Sequence, residues 1–485
     1  MCFNPDHPFT MKNLDRFYSS VGLLLVLNLF IKPAWIFGID LQVQNIIGTK
    51  EYGNYFAILN LSIVFSFLTD WGFTIFFNRS ASALPAVYLK RAVSYCLLKI
   101  LFALVYMAVV FAIAFFSGIN DWFIVLMVIL IQVLTSFYLF LRSMITAMQK
   151  FKTEAWLSVL DKFLMILVCG TFIYLPFVTG TITLQKFLVT QVVSLSVALI
   201  ITVFILASVK ISFEKINPKH LNVQLFKAAF PFALIVFLMS VHNRLDGFLL
   251  ERLHPDGNYE TGMYAAAYRL LDAFLMPGNM VMAILLPFVA RQFEQRKVFV
   301  DFVLNVRHFL MMLTAGIITI GYVLAPWIQY LLYEHDPVYG AAVLRLSLLS
   351  MSGYTLIQVY GTVLTATGHI RQFVNIIFFT VILNIILNVL LIPQLGAKAS
   401  AIASIITQHL SGLYLLFLVS KQFNLPVNIR SVFLYIFSIA LYALILFIGI
   451  QLNMNEWLLI ICCLVAGFLT ILFTKTPDWR KMLIR

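Results

Sequence analysis

Long apolar runs separated by short polar breaks recur from one end of the chain to the other. Fourteen can be marked, at 19–38, 54–77, 92–117, 122–148, 156–178, 184–208, 226–250, 262–289, 302–333, 341–367, 373–393, 397–419, 431–450 and 457–473. A helix rises about 1.5 Å per residue, so crossing ~30 Å of hydrocarbon takes about 20 residues. A membrane strand needs only ~9–11 residues of alternating polarity, and no such alternation occurs. The pattern predicts an all-α integral membrane protein of about fourteen transmembrane helices. The first run follows a polar head with Asp6 and Asp15 and has no small-residue cleavage signature, so it reads as a retained helix.

Composition agrees. The 485 residues are 62% hydrophobic and 11% charged, against about 25% charged in a soluble domain, and no segment is left for a soluble catalytic domain. The net charge of +13 raises the question of a polyanionic partner, and the placement of the charges answers it. Alternate breaks and both tails hold twenty Lys and Arg, among them Lys150, Lys152, Lys215, Arg296 and Lys475, whereas the opposite breaks hold only Lys50, Arg252 and Lys398. This is the positive-inside bias; it puts both termini in the cytoplasm and leaves no need for nucleic acid as a partner. Five scattered cysteines make no disulfide framework.

Two short matches suggest an internal duplication. YGNYFAIL at 52–59 resembles TGMYAAAY at 261–268, and ITAMQK at 145–150 resembles LTATGH at 364–369, each pair in the same order. The expected organisation is an N-lobe at 1–208, a basic cytoplasmic linker at 209–225 with interfacial-helix character, a C-lobe at 226–420, and two extra helices with a tail at 421–485. Lobes with an even number of helices are parallel repeats, and such a pair is expected to leave a central cavity.

Ten Lys and Arg remain inside the runs: Lys32, Lys99, Arg142, Lys162, Lys186, Lys227, Arg244, Arg269, Arg307 and Arg345. Arg142, Lys186, Lys227, Arg307 and Arg345 lie within about two turns of a run's end, where long side chains snorkel to headgroups. Deeper charges cost at least ~2.5–3.5 kcal/mol in hydrocarbon and demand a partner or water. Only Asp70, Asp161, Asp246 and Asp272 oppose them at depth, a surplus of cations that favours an anionic ligand. Lys32 is followed by Pro33, and Asp70 by Trp71-Gly72, where a helix can bend or break. Asp161 and Lys162, adjacent on one helix, are expected to point apart.

Two readings of Arg269 and Asp272, three residues apart on one helix face, stay open: a self-neutralising ion pair, or an arginine presented to an anionic substrate with Asp272 as its charge partner. Lys32, Arg244 and Arg269 are the candidate cationic binding residues. Asp70, Asp246 and Asp272 are candidate ion-coupling residues or charge partners. Tyr264, Tyr268, Tyr354 and Tyr360 are aromatic candidates for the cavity wall. The chain has no G-x-x-x-x-G-K-[ST], H-E-x-x-H or G-x-S-x-G motif, and His242 and His308 stand alone, so no catalytic residue, metal or cofactor is expected.

The stretch IIGTKEYGNYFAILNLSIVFSFLTDWGFTIFFNR at 46–79 resembles the segment after the first helix of polysaccharide biosynthesis proteins, the O-antigen flippases of the multidrug/oligosaccharidyl-lipid/polysaccharide (MOP) exporter superfamily. RLDGFLLERL at 244–253, TGMYAAAYRLLDAF at 261–274, LLPFVARQF at 285–293, LTATGHIRQ at 364–372 and NIILNVLLIPQLGAKASAIASIITQ at 384–408 are similar to the second half of that family. GAKAS departs from the usual Gly-x-x-Gly-Ala after Ile-Pro, which puts the close helix packing near Lys398 in question. The resemblance implies a MATE-like MOP fold of two six-helix lobes plus two C-terminal helices. It also implies transport, without enzymatic activity, of undecaprenyl-diphosphate-linked oligosaccharide across the bacterial cytoplasmic membrane. Coupling to protons or sodium, and polymerase and chain-length machinery as partners, are further expectations. The alternatives are a MATE-like small-molecule exporter, for which an acid-dominated cavity is expected, and a membrane polysaccharide polymerase or ligase, for which a large external loop is expected.

Overall fold

A computed structural model of the chain describes residues 11–74, 77, 89, 92–175, 177, 180–209, 223–426 and 429–473. Among them all regular structure is helical, and each apolar run coincides with helix. The expected linker and the basic tail after 473 fall mostly outside the described residues. Among the described residues twelve spans are long and apolar enough to cross a bilayer, and the chain is a multi-pass membrane protein.

In chain order the helices are α1 Met11–Trp35, α2 Leu41–Ile47, α3 Thr49–Phe65, α4 Ala92–Phe116, α5 Trp122–Ala147, α6 Phe151–Tyr174, α7 Leu184–Ala207, α8 Val223–Leu253 and α9 Gly257–Gln292. There follow α10 Arg296–Val323, α11 Ala325–Leu332, α12 Pro337–Leu349, α13 Met351–Ala366, α14 Ile370–Leu395, α15 Ala397–Phe423, α16 Ile429–Gln451 and α17 Glu456–Phe473. They form two compact units, 1–248 and 249–485, with the division inside α8.

Several runs are broken where local chemistry demands it. After Pro33, which has no N–H to continue the helical ladder, α1 widens into a π turn over Ile36–Asp40 before resuming as α2. The run 302–333 divides at Leu324, with Pro at the start of α11. Asp336 caps α12, its carboxylate accepting the Tyr339 N–H at 3.1 Å.

The sharpest break ends the second run. A 3₁₀ turn, Ser66–Thr69, leads into Trp71 and Gly72, both at positive φ, 48° and 71°. Gly72 is required twice over: a Cβ there would lie 2.7 Å from the Ala233 backbone nitrogen of α8 and 2.9 Å from the Ala229 carbonyl oxygen. Trp71 stacks near Phe102 and Phe230 at centroid distances of 6.2 Å each, above a core built from Phe73, Phe77, Tyr95 and Phe140.

In the second unit, α14 and α15 are joined by a polar ladder in which Ser400 donates to Asn388 at 2.8 Å, and Asn388 in turn to the Asn384 carbonyl at 3.0 Å. Small residues bring α13 and α15 into backbone contact: a Cβ on Gly412 would meet the Gly353 oxygen at 2.8 Å. At the GAKAS departure, Gly396 takes a φ of 55°, and Glu260 accepts the Ala397 N–H at 2.7 Å and the Tyr339 hydroxyl at 2.6 Å. Lys398 lies over the Tyr339 ring at 4.9 Å. Tyr442 of α16 packs within 3.5 Å of the Cβ position of Gly316 on α10.

The two matched segments end alike. α5 closes at Ala147 with Gln149 at φ 59°, and α13 closes at Ala366 with Gly368 at φ 83°. Both helices stop through a left-handed residue at equivalent positions.

Replacing Gly72 by Ala is expected to lower the thermal unfolding midpoint of the detergent-purified protein, by the equivalent of about 1–3 kcal/mol for a strained residue. An unchanged midpoint would contradict the close backbone approach.

Candidate functional site

Two groups of charged residues stand out on the described helices of the first unit. The first lies where the second run breaks. Lys99 of α4, 0% exposed, forms an ion pair with Asp70 and donates to the Ser136 hydroxyl of α5 at 2.8 Å. Ser136 donates onward to the Thr69 carbonyl at 3.4 Å. Asp70 also accepts the Thr74 N–H at 2.8 Å and the Thr74 hydroxyl at 2.5 Å, so one carboxylate caps the chain after the break while anchoring a buried lysine. Nothing in the local sequence links Asp70 to Lys99, 29 positions away.

The second group surrounds Lys32 on α1, which is half-buried. Arg142, Asp161 and Lys162 act on it electrostatically. Arg142 binds Glu154 of α6, with Nη2–Oε1 at 2.6 Å, and stacks its guanidinium on Tyr138 at 5.4 Å. Asp161 and Lys162 do not diverge but pair at 3.3 Å, and the Lys162 ammonium sits 4.4 Å from the centre of the Trp35 ring. Asn28 of α1 donates to Ser158 of α6 at 2.9 Å and fixes the two helices in register. The result is three cations and two carboxylates, a positive excess on three helices long and apolar enough to cross a bilayer.

The π turn adds a residue that sequence reading passed over. Asp40, 1% exposed, accepts the Tyr52 hydroxyl at 3.0 Å, and the Gly38 carbonyl accepts the Tyr174 hydroxyl at 2.9 Å. Pro33, five positions before Gly38-Ile39-Asp40, was the signal available for it.

Of the other candidates, Arg244 is half-buried and Asp246 buried on α8. A Cβ on the adjacent Gly247 would run into the Asn60 side chain of α3, which is how closely α8 packs there. Arg269 and Asp272, in the second unit, share a half-buried face of α9. The tyrosines proposed for the cavity wall are all buried: Tyr264, Tyr268, Tyr354 and Tyr360 are 6% exposed or less. Their rings fill helix interfaces, and Tyr360 accepts a 3.3 Å hydrogen bond from Arg307, itself buried. Among the described residues no cluster of metal-ligating side chains occurs.

These features define a multi-pass, helical membrane protein. The chain belongs to the polysaccharide biosynthesis protein family, which it matches over residues 21–293. Among solved structures it is similar to the lipid II flippase MurJ in an inward closed conformation, with 16% identity, a TM-score of 0.70, and 96% of this chain and 100% of that one covered. It is also similar to an inward-facing multidrug resistance MATE family transporter, at 13% identity and TM-score 0.63 over 83% of this chain and 98% of that one. A MOP superfamily transporter from Pyrococcus furiosus aligns at 12% identity and TM-score 0.61, over 84% and 95% of the two chains. Among curated proteins nothing matches.

Removing one member of the buried pair leaves an uncompensated charge, so Lys99→Met or Asp70→Leu alone is expected to cost about 3–5 kcal/mol of stability, with much of that recovered in the double variant. Urea or thermal unfolding of the four proteins as a double-mutant cycle measures it; additive losses would contradict the pairing.

Proposed function

We propose that this protein is a flippase that carries a polyprenyl-diphosphate-linked oligosaccharide, such as an O-antigen or capsule repeat unit, from the cytoplasmic to the outer leaflet by alternating access. The observation that carries the reading is the group around Lys32 on candidate membrane-spanning helices, where three cations meet two carboxylates, an excess that hydrocarbon would penalise. Membership of the polysaccharide biosynthesis family supports the saccharide, and the fold supports transport. Lys32, Arg244 and Arg269 receive the phosphates. Guanidinium offers two parallel donors to a phosphate, and ammonium a point charge. Asp70, Asp246 and Asp272 serve as charge partners or as sites of proton or sodium coupling. Binding has to be moderate, because a ligand held equally well in both states shifts no equilibrium between them. The positive-inside bias puts both termini in the cytoplasm, and the substrate class fits the bacterial cytoplasmic membrane and a polymerase with its chain-length machinery as downstream partners. A MATE-like exporter of small cations fits an acid-rich site, opposite to the excess around Lys32.

In proteoliposomes with a fluorescent lipid-linked oligosaccharide, the protein is expected to accelerate leaflet exchange. Lys32→Ala and Arg269→Ala should each slow it about tenfold or more, the loss of one charge-assisted bond of ~1.5–3 kcal/mol. Equal exchange with and without protein would end the flippase reading. Unimpaired variants would end the assignment of these residues.

A further inference from the structure

Phosphate recognition accounts for the charges but not for an uncharged polar pair in the second unit. Gln358 of α13 donates its amide N–H to the Asn279 side-chain oxygen of α9 at 2.8 Å, and the pair is exposed. Asn279 lies near the middle of the 36-residue α9. The two helices are shaped for this contact: at Gly278 a Cβ would lie 2.5 Å from the Gln358 carbonyl oxygen, so any other residue would push the carboxamide away. Pro277 beside it has no N–H to offer the carbonyl of Ala273, which adds a backbone acceptor one turn earlier.

One hydrogen bond uses a single donor and a single acceptor of this pair. Two carboxamides together supply four N–H donors and two carbonyl oxygens. One hydrogen bond joins the two side chains and leaves most of that capacity unused, and in hydrocarbon each unmet group would cost several kcal/mol. A pair serving only to join two helices would be expected to lie between them, as Asn384, Asn388 and Ser400 do between α14 and α15, where all three are 1% exposed or less. The exposed pair therefore faces a hydrated surface.

Resting on the flippase reading, we propose that Asn279 and Gln358 form a neutral saccharide subsite that reads hydroxyl groups of the transported headgroup and so sets which oligosaccharide is carried. Paired donors and acceptors with no net charge match vicinal hydroxyls, which are themselves both donors and acceptors, and give no advantage to phosphate. Asp272 stands seven residues before Asn279, on the same face of α9. Arg269 is ten residues away, about 15 Å along the axis. α9 thus offers a cation and a carboxamide on either side of its midpoint, an order suited to a ligand with a charged end and a neutral end.

The test compares two probes in proteoliposomes: a fluorescent polyprenyl diphosphate carrying an oligosaccharide, and the same lipid without sugar. For Gln358→Leu the ratio of sugar-bearing to sugar-free exchange is expected to fall about tenfold relative to wild type, and Asn279→Ser, which keeps a small polar group, should lower it in the same direction. Free oligosaccharide should inhibit wild-type exchange more than that of either variant. Should Gln358→Leu fail to reach the membrane, the Asn279→Ser ratio alone decides. An unchanged ratio, or equal loss with both probes, would show an interhelical brace and overturn the subsite. A wild-type protein that moves neither probe would overturn the flippase reading itself, and the subsite with it.

Discussion

A charge or an unmet hydrogen-bonding group in hydrocarbon costs several kcal/mol, and that penalty orders the described residues of this bundle. Among the described residues, several of the charged side chains on the spanning helices are matched inside the protein. Lys99, fully buried, is held by Asp70 and Ser136, and the same carboxylate caps the chain after the break. Lys32 is half-buried beside Arg142 and Lys162, which are themselves engaged by Glu154 and Asp161. The helices themselves follow from the same rule, since a backbone crossing lipid must satisfy its own N–H and C=O groups.

The breaks in the helices are consequences of chemistry that hydrophobicity alone does not carry. Pro33 and the π turn after it bring Asp40 to Tyr52, and Gly72 brings the end of the second run against the backbone of α8. Both are places where irregular backbone is tolerated because protein, and not lipid, surrounds it. Lys99, Asp70 and Thr74 hold one of them in place, so the deepest ion pair described and the sharpest turn form one construction.

Helix positions were legible in the sequence because a span is set by length and polarity: the run at 92–117 became Ala92–Phe116, and that at 397–419 became Ala397–Phe423. Pro33 and Gly72 were legible as points of weakness for the same local reason. Charge partners were not. Arg142 and Glu154 are 12 positions apart on two helices, and Asp70 and Lys99 are 29 apart, so only tertiary packing joins them. Proximity to the end of a run suggested snorkelling for Arg142 and Arg307, yet Glu154 and Tyr360 give each a closer partner. Buried tyrosines and cavity tyrosines have the same sequence signature, and Tyr264, Tyr268, Tyr354 and Tyr360 turned out to be the buried kind. Asn279 and Gln358 were silent because a single carboxamide in an apolar run has no periodicity.

The central claim is that the deep cations border water. Its most direct measurement is the reaction of single-cysteine variants, Lys32→Cys and Arg269→Cys on a background without the five native cysteines, with a charged, membrane-impermeant thiol reagent in native membranes opened to give access from both sides. Phe379→Cys, on a side chain 70% exposed on the apolar surface of α14, is the lipid-facing control. Labelling of positions 32 and 269 well above that of position 379 is the predicted result. Labelling no faster than at position 379 would mean that these side chains see acyl chains or a sealed interior, and would contradict the account.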